Sequence, residues 1–477
     1  MVHGRDKMSA SAAPGLGRTA TPFLLAFVNS KSGGQKGTLV PTALSGILWN
    51  GRHDEAPLPP EYPLKKGPWP PFTKEKYHGK VIDLATMHDP AGAIREKLAV
   101  FPTLRLLVCG GDGTICWVLD AVSSLEIAEP EDTPAIAVMP LGTGNDLSRT
   151  YGWGGGFSRK QITRRHVWAM LHADVEDLDL WEMTVSMPRD AVSEEVRRWL
   201  PPGLHPVEGG SGSGGGGAGV VEAAEAGGET KAAEADGGAA ESKSIELTAV
   251  NPAASETATG NDTNIADTVS ASLNQTYTGT FCNYFSIGMT ARGAMAFHKE
   301  REAHPARFTS PLKNKVIYAQ KGCGMICGDI MCHPTVAGRV AVQVLSAAAG
   351  AALTDVEVAG DLCEINVLNI QSYSGGVIKT PTFQQQSRAS RSDGLLEIAG
   401  LGNYVGTSCC VSFGRMCCQS PMRRVAQGAG VRIAVNGEGN GKPLIAQFDG
   451  EPFILPPGST VEMRLKKFRG RMLSVRK

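Results

Sequence analysis

Val108-Cys109-Gly110-Gly111-Asp112-Gly113-Thr114, with Pro140-Leu141-Gly142-Thr143-Gly144-Asn145-Asp146-Leu147 further along, is the stretch that decides the fold. Each string is a glycine-rich loop directly behind a short apolar run, Leu104 to Val108 for the first and Ala135 to Val138 for the second. Such runs read as buried parallel strands. Glycine just after a strand lets backbone N–H groups come close to phosphate oxygens. A third loop, Asn29-Ser30-Lys31-Ser32-Gly33-Gly34, follows the apolar run Phe23 to Val28. One loop of this kind is a weak signal. Three in series predict a parallel sheet that holds a nucleotide phosphate at the carboxyl ends of its strands.

The segments between these loops fit that sheet. Pro41 to Trp49 reads as a short helix, Val81 to Leu84 as a strand, Pro90 to Phe101 and Thr114 to Val122 as helices. Strand and helix alternate from 22 to 190, which predicts an α/β lobe with a doubly wound parallel sheet. The proline-rich stretch 51–72 reads as a surface loop. Composition then changes. Glu208 to Gly217 is glycine and serine, and the Ala/Glu/Gly/Thr/Ser residues behind it carry almost no large apolar side chain. Residues 191–276 are therefore expected to be a low-complexity, disordered insert, since they cannot offset their ordering entropy. Alternation of period two returns from Tyr277, in Val340 to Leu345, Cys363 to Ile370 and Val461 to Leu465. With helices only at Arg292 to Glu302 and Leu312 to Gln320, residues 277–465 predict a mostly antiparallel, β-sandwich-like lobe. Residues 1–21 read as a disordered tail and 466–477 as a basic C-terminal tail.

The chain has 477 residues, 42% of them apolar, and zero formal net charge. The length suggests two or three domains, and the apolar share suffices for real cores. Neutrality argues against a general nucleic-acid binder, which needs a basic footprint. No run of eighteen apolar residues exists, so no transmembrane helix is expected. The first residues carry Arg5, Lys7 and Arg18 without an apolar core, unlike a secretory signal. The 11 cysteines, several in adjacent pairs such as Cys409-Cys410 and Cys417-Cys418, predict reduced thiols and a reducing compartment rather than a disulfide framework. Cys323, Cys327, Cys332 and His333 are spaced poorly for a tetrahedral zinc site and read as buried thiols.

Several side chains in the loops can carry chemistry. In Asn29 to Gly37, Lys31 or Lys36 adds positive charge to a phosphate cradle; the spacing is not that of a Walker A loop. Asp112 is either the former of an Asx turn or a carboxylate beside the transferred phosphate, holding magnesium or orienting an acceptor hydroxyl. Thr143 and Asn145 are candidate nucleotide ligands, and Asp146 a candidate cap for the helix that begins at Leu147. Tyr151 to Phe157 reads as a mobile aromatic loop or as packing. Asp393-Gly394 and Asp449-Gly450-Glu451 each place carboxylates at a tight turn, where an ordinary hairpin is the plainer reading.

These strings together resemble the eukaryotic diacylglycerol kinases. The likeness rests on Asn29 to Gly34, Val108 to Leu119, Pro140 to Arg149 and Trp153 to Gly156 in the first lobe. In the second it rests on Asn283 to Gly288, Phe297 to Glu302, Leu312 to Lys315, Leu368 to Ile370 with Ser374 to Gly376, and Gln447 to Pro452. It implies a catalytic domain over 22–190 and an accessory domain over 277–465. The Gly-Gly-Asp-Gly-Thr loop is shared with the wider superfamily that includes NAD kinases. Transferred by position, Asn29, Ser30, Lys31, Ser32, Gly33, Gly110, Gly111, Gly113, Thr114, Gly142, Thr143, Gly144 and Asn145 would line the ATP phosphates, with Thr86 beside them. Asp112 and Glu451 are the candidates for the carboxylate that takes the hydroxyl proton, and Asp393 would bind Mg2+. Glu451 stands where bacterial relatives carry a general base in a late Asp-Gly-Glu turn.

The implied reaction is transfer of the ATP γ-phosphate to a diacylglycerol hydroxyl, yielding phosphatidic acid. Lipid signalling and phosphatidate metabolism would be its setting, with the protein cytoplasmic and transiently at membranes. A sphingoid, ceramide or NAD kinase, or a nucleotide-binding scaffold without activity, is the alternative. Three positions depart from the family pattern: Ser30 for a common proline, Cys116 for a common glycine, Pro311 for a common basic residue. No zinc modules, EF-hands or ankyrin-like repeats precede the first loop, so the chain resembles a minimal form of the family. Recruitment to anionic lipids is then expected from Lys466, Lys467, Arg469, Arg471, Arg476 and Lys477, at about 1 kcal/mol per basic residue.

Overall fold

The computed structural model describes residues 22–32, 38–50, 76–207 (save 88, 126 and 128), 274–308, 313–321 (save 315 and 319), 335–347, 352–379 (save 374 and 377), 390–402, 422–436 and 441–475. Four parallel strands form the first lobe: β1 (Phe23–Val28), β2 (Tyr77–Asp83), β3 (Leu104–Gly110) and β4 (Ala135–Pro140), in the order β4-β3-β1-β2, with Leu48–Trp49 at the outer edge. Every residue of β1 and β4 is buried, as expected of strands covered on both faces. Helix α1 (Pro90–Leu98) begins with the Asp89 carboxylate accepting the Gly92 N–H at 2.8 Å and with proline in its first turn. Helix α2 (Asp112–Ser123) starts straight from the loop behind β3 and buries Ile115, Cys116, Val118, Leu119 and Val122, one helical face. A short α3 (Asp146–Thr150) follows the loop behind β4.

The second lobe is antiparallel. β5 (Asp174–Pro188) pairs with β6 (Asn274–Phe281). A six-stranded sheet runs β10-β9-β8-β7-β11-β12, from β7 (Tyr284–Gly288), β8 (Leu362–Leu368), β9 (Leu396–Gly402), β10 (Met422–Gly428), β11 (Leu444–Phe448) and β12 (Glu451–Leu455). Helix α4 (Met289–Ala303) leaves β7 directly. Inward side chains of the two sheets, among them Trp181, Met183, Phe281, Phe285, Ile365, Phe453 and Met463, meet in one core. The expected sandwich is there.

The two lobes are not separate sheets. The last strand, β13 (Thr460–Ser474), runs antiparallel to β5 on both sides of a register break between Leu465 and Arg469, and at Met472 it pairs in parallel with Ile136 of β4. One twelve-stranded sheet results, also carrying Val340–Leu345, Leu353–Val356 and Gly430–Val435. This corrects the reading of 466–477 as a tail. Lys466 Nζ reaches Asp120 Oδ1 at 3.2 Å, Arg469 Nε reaches Asp179 Oδ1 at 2.9 Å, and Arg471 donates to the Glu131 and Thr133 carbonyls. Met472 and Leu473 are fully buried. Alternation carried the strand signal to Leu465, but the basic side chains beyond it mask the pairing.

The insert is also shorter than 191–276. Glu194–Arg198 is a helix, His205–Pro206 pairs with Thr278 and Tyr277, and the separate unit is residues 208–273. That unit, residues 1–21, the 51–72 loop and the segment from Cys323 to His333 lie outside the described residues. Among the described residues, no helix is long and apolar enough to cross a membrane.

Candidate active site

The strand order sets the C-terminal ends of β4, β3, β1 and β2 side by side. Between β1 and β3 the winding direction reverses, the point at which open α/β sheets bind ligands. The four loops are tied to each other there. Asn29 N–H donates to the Cys109 carbonyl at 2.9 Å, and Asn29 Nδ2 to Thr114 Oγ1 at 3.1 Å. Ser30 N–H donates to Asp83 Oδ1 at 3.4 Å, joining the β1 and β2 loops. Leu141 N–H donates to the Gly110 carbonyl at 2.9 Å. The glycines are required by this crowding. A methyl group on Gly142 would stand 2.6 Å from Gly111 Cα, and one on Gly110 would stand 2.6 Å from Thr114 Cβ.

Ser30, Lys31, Ser32, Gly111, Gly113, Thr143 and Gly144 all lie on this rim. Gly33, Gly34 and Lys36 lie outside the described residues. Thr86 is exposed and its hydroxyl donates to the Asp83 carbonyl, so it belongs to the β2 loop's own turn. Asn145 adopts a left-handed φ of 57°, and its Nδ2 donates to the Gly142 and Gly155 carbonyls. Its buried Oδ1 has no partner among the described residues, so one amide acceptor of this loop is unspent. The aromatic stretch behind it is packing: Tyr151 and Trp153 are buried, and Trp153 Nε1 donates to the Leu473 carbonyl at 2.7 Å.

Four carboxylates stand against the rim, and they differ in what holds their oxygens. Asp112 Oδ2 accepts from Asp146 N–H at 2.8 Å and Oδ1 from Leu147 N–H at 3.3 Å. The cap of α3 is thus Asp112, supplied from the preceding loop, and not Asp146 as expected. Asp146 instead reaches the second lobe, accepting from Ser372 Oγ at 2.5 Å, Gly375 N–H at 2.9 Å and Tyr284 Oη at 3.4 Å. Asp449, at a φ of 48°, accepts three backbone N–H groups, from Cys282 at 3.0 Å, Asn283 at 2.8 Å and Tyr284 at 3.1 Å. That clamp fixes the turn leading to Glu451. Glu451 Oε1 comes within 3.8 Å of where a methyl group on Gly113 would be. No described residue donates a hydrogen bond to it.

The electrostatics follow from this crowding. Burial and then the Asp146 and Asp449 charges hold the Asp112 carboxyl well above the usual carboxylate range. Burial lifts Asp449 to about 6 against its three backbone donors. Burial raises Glu451 too, opposed by the Arg301 charge.

Asp393, expected to hold magnesium, lies in the turn before β9, where the next residue, Gly394, donates its N–H to Asp179 Oδ2 at 2.6 Å. Asp393 Oδ1 accepts from Leu395 N–H at 3.1 Å, and its charged neighbours are Asp179 and Arg469. Among the described residues, the cluster of donor atoms close enough to hold a metal is Cys116, Cys282 and Asp449. Those two cysteines are joined in a disulfide, contrary to the expectation of reduced thiols throughout. The sequence marks no role for Tyr284, Ser372 or Asn369 and reads Asp449 only as a carboxylate of a hairpin turn. Asn369 receives Trp181 Nε1 at 2.9 Å and donates to the Asp179 and Cys282 carbonyls, pinning the corner between β6 and β7. Their signal was indirect, since each lies in or beside a string that carries the family likeness.

Comparison with known proteins agrees with that likeness. Residues 72–179 match the diacylglycerol kinase catalytic domain and 280–452 the diacylglycerol kinase accessory domain. The chain is 28% identical over 466 residues to diacylglycerol kinase 4 of Arabidopsis thaliana, covering 94% of this chain and 80% of that one. It is 27% identical to the eye-specific diacylglycerol kinase of Drosophila melanogaster over 71% of this chain and 18% of that one. A crystal structure of a putative diacylglycerol kinase from Bacillus anthracis overlays with 13% identity and a TM-score of 0.45, across 95% of this chain and 97% of that one.

Proposed function

We propose that this chain, a member of the diacylglycerol kinase family by its catalytic and accessory domains, transfers the γ-phosphoryl group of ATP to the free hydroxyl of a diacylglycerol, making phosphatidic acid. The observation that carries the reading is the meeting of the rim of nucleotide loops with an acceptor-only carboxylate, Glu451, brought from the other lobe.

Phosphoryl transfer asks the protein mainly to position and to neutralise charge. The β1, β3 and β4 loops present backbone N–H groups, and Asn29, Thr114 and Thr143 present side-chain donors, at the ends of parallel strands. The γ-phosphate would then lie over Gly111 and Gly113. Asp112 has both oxygens on backbone donors, which suits it to fix the loops and to face a magnesium ion carried by the phosphates. That ion, when bound, would neutralise charge building on the phosphate oxygens. Burial raises the proton affinity of Asp112 as well, but its oxygens already accept from Asp146 and Leu147 N–H, so a proton taken there would compete with the cap of α3.

Glu451 is open. With no donor on its oxygens among the described residues and a setting whose burial raises its proton affinity, it can accept the hydroxyl proton as the oxygen attacks in line. Asp449, clamped by the N–H groups of Cys282, Asn283 and Tyr284, fixes the turn that sets Glu451 against Gly113.

The acceptor class is tested with purified protein, labelled ATP and magnesium, and a panel of diacylglycerol, ceramide, sphingosine and NAD. Labelled phosphatidate alone is expected. Label on ceramide, sphingosine or NAD instead would assign another branch of the superfamily. Nucleotide binding without any product would leave a scaffold. Lys466, Arg469 and Arg471 hold internal partners, so the expectation that a basic tail recruits anionic lipid loses three of its six groups.

A further inference from the structure

We infer that Cys116 and Cys282 form a reversible redox link between the helix of the nucleotide loop and the turn that carries the candidate base, so that peroxide and thiols set the activity of the assembled site. The activity half rests on the phosphotransfer reading above; the chemistry of the pair does not.

Cys116 lies one turn into α2, two residues after Thr114 and four after Asp112. Cys282 lies at the corner between β6 and β7, in the other lobe, 166 residues away in sequence. Both are buried, Cys282 completely and Cys116 with 8% of its surface open. Their sulfurs lie 2.9 Å and 3.6 Å from the same atom, Asp449 Oδ2, whose residue is followed at once by Gly450 and Glu451. Joined as a disulfide, the sulfurs carry no proton, and these are plain contacts. As thiols they would both donate to Oδ2, which otherwise has Cys282 N–H. The redox state of the pair therefore changes the donors on the carboxylate that holds the Glu451 turn, and ties or frees α2. Cys109 and Cys363 are buried single thiols held far from ionisation, Cys363 at about 12, and offer no such route.

The chemistry balances with hydrogen peroxide as oxidant. Asp449 takes the proton of the Cys116 thiol, and the sulfur attacks the peroxide O–O bond. A sulfenic acid forms, and the departing hydroxide recovers the proton as water. The Cys282 sulfur then attacks Cys116 Sγ. The S–O bond breaks, the S–S bond forms, and a second water leaves with the Cys282 proton. Two electrons pass from the thiols to peroxide. A small dithiol reverses the step by exchange and is itself oxidised to its disulfide.

The disulfide form is the one with Glu451 set against Gly113, so oxidation should hold the site assembled. The full chain is treated with hydrogen peroxide or with dithiothreitol. The oxidised sample should yield a linked peptide containing Cys116 and Cys282 on mapping without reductant, melt several degrees above the reduced sample and show a several-fold higher kcat. Cys116→Ser and Cys282→Ser should each abolish both differences and match the reduced wild type. The proposal is overturned if no such peptide forms at any peroxide dose, if either variant keeps the redox-dependent shift, or if the reduced pair binds stoichiometric zinc with Asp449. A linked peptide and melting shift in a protein that makes no phosphatidate would leave the link standing and remove the phosphotransfer reading instead.

Discussion

Asp112 and Glu451 are both acidic and both lie at the nucleotide rim, yet their surroundings assign them different work. Asp112 spends its oxygens on the N–H groups of Asp146 and Leu147, while Glu451 receives no donor from the described protein. Asp112→Asn puts an amide NH2 where one backbone N–H now donates. It should cost about 1–2 kcal/mol of stability through the lost cap and lower activity with it; a thermal melt beside a kinetic assay checks this, and an unchanged melt would contradict it. At this scale the sequence was legible in part. Gly110 to Thr114 and Gly142 to Asn145 announced themselves, because glycine needs and chemistry coincide there. Asp146 read as a local cap because Asx residues before helices usually are. The cap arrives from a loop 34 residues earlier, a non-local fact that spacing cannot show. Glu451 stood in what looked like an ordinary hairpin turn, and only family likeness raised it.

Among the elements, the loops behind β3 and β4 are built with no spare space. Gly142→Ala would push a methyl group to 2.6 Å from the Gly111 backbone, which cannot yield as a flexible side chain can. The variant should lose about 1–3 kcal/mol and bind ATP more weakly, read by titration with the nucleotide and by melting. The apolar strands were legible as strands because a run buried on both faces has no competing reading once glycine loops bound it. β13 was legible only to Leu465. Its basic residues find partners on α2, on β5 and on the segment before β4, and those partners are far away in sequence. Ending the chain at Leu465 should therefore not give a soluble kinase with weaker lipid binding. It removes buried Met472 and Leu473, each worth about 1.5–3 kcal/mol, and the strand that joins the two lobes. Expression with a native-like melting transition would contradict that.

Over the whole molecule, the second lobe carries a buried acid under α4. Glu364 accepts from Thr290 N–H at 2.5 Å, Thr290 Oγ1 at 2.7 Å and Tyr373 Oη at 2.6 Å, and burial still lifts it to about 7. Its folded value lies above its unfolded one, so the stability it confers is full below about pH 4.5 and lost as pH rises through 7. The loss is on the order of 3 kcal/mol when complete. Wild-type stability should thus fall relative to Glu364→Gln between pH 5 and pH 8, seen as a gap between their denaturation midpoints that changes with pH; parallel curves would contradict it. The two lobes were each legible in the sequence as classes. Their fusion through one sheet was not, because it depends on where the last strand returns.

Phosphate passes, on this reading, from ATP to a lipid hydroxyl at the rim of glycine loops, with Glu451 taking the proton. Labelled phosphate transfer to diacylglycerol in mixed micelles, measured for the wild type beside Glu451→Gln together with ATP binding by each, tests it most directly. The wild type should yield phosphatidate, and Glu451→Gln should show a kcat about 10²- to 10⁴-fold lower with ATP affinity equal to that of the wild type. Full activity in Glu451→Gln, or no labelled lipid from a wild type that binds ATP, would contradict it.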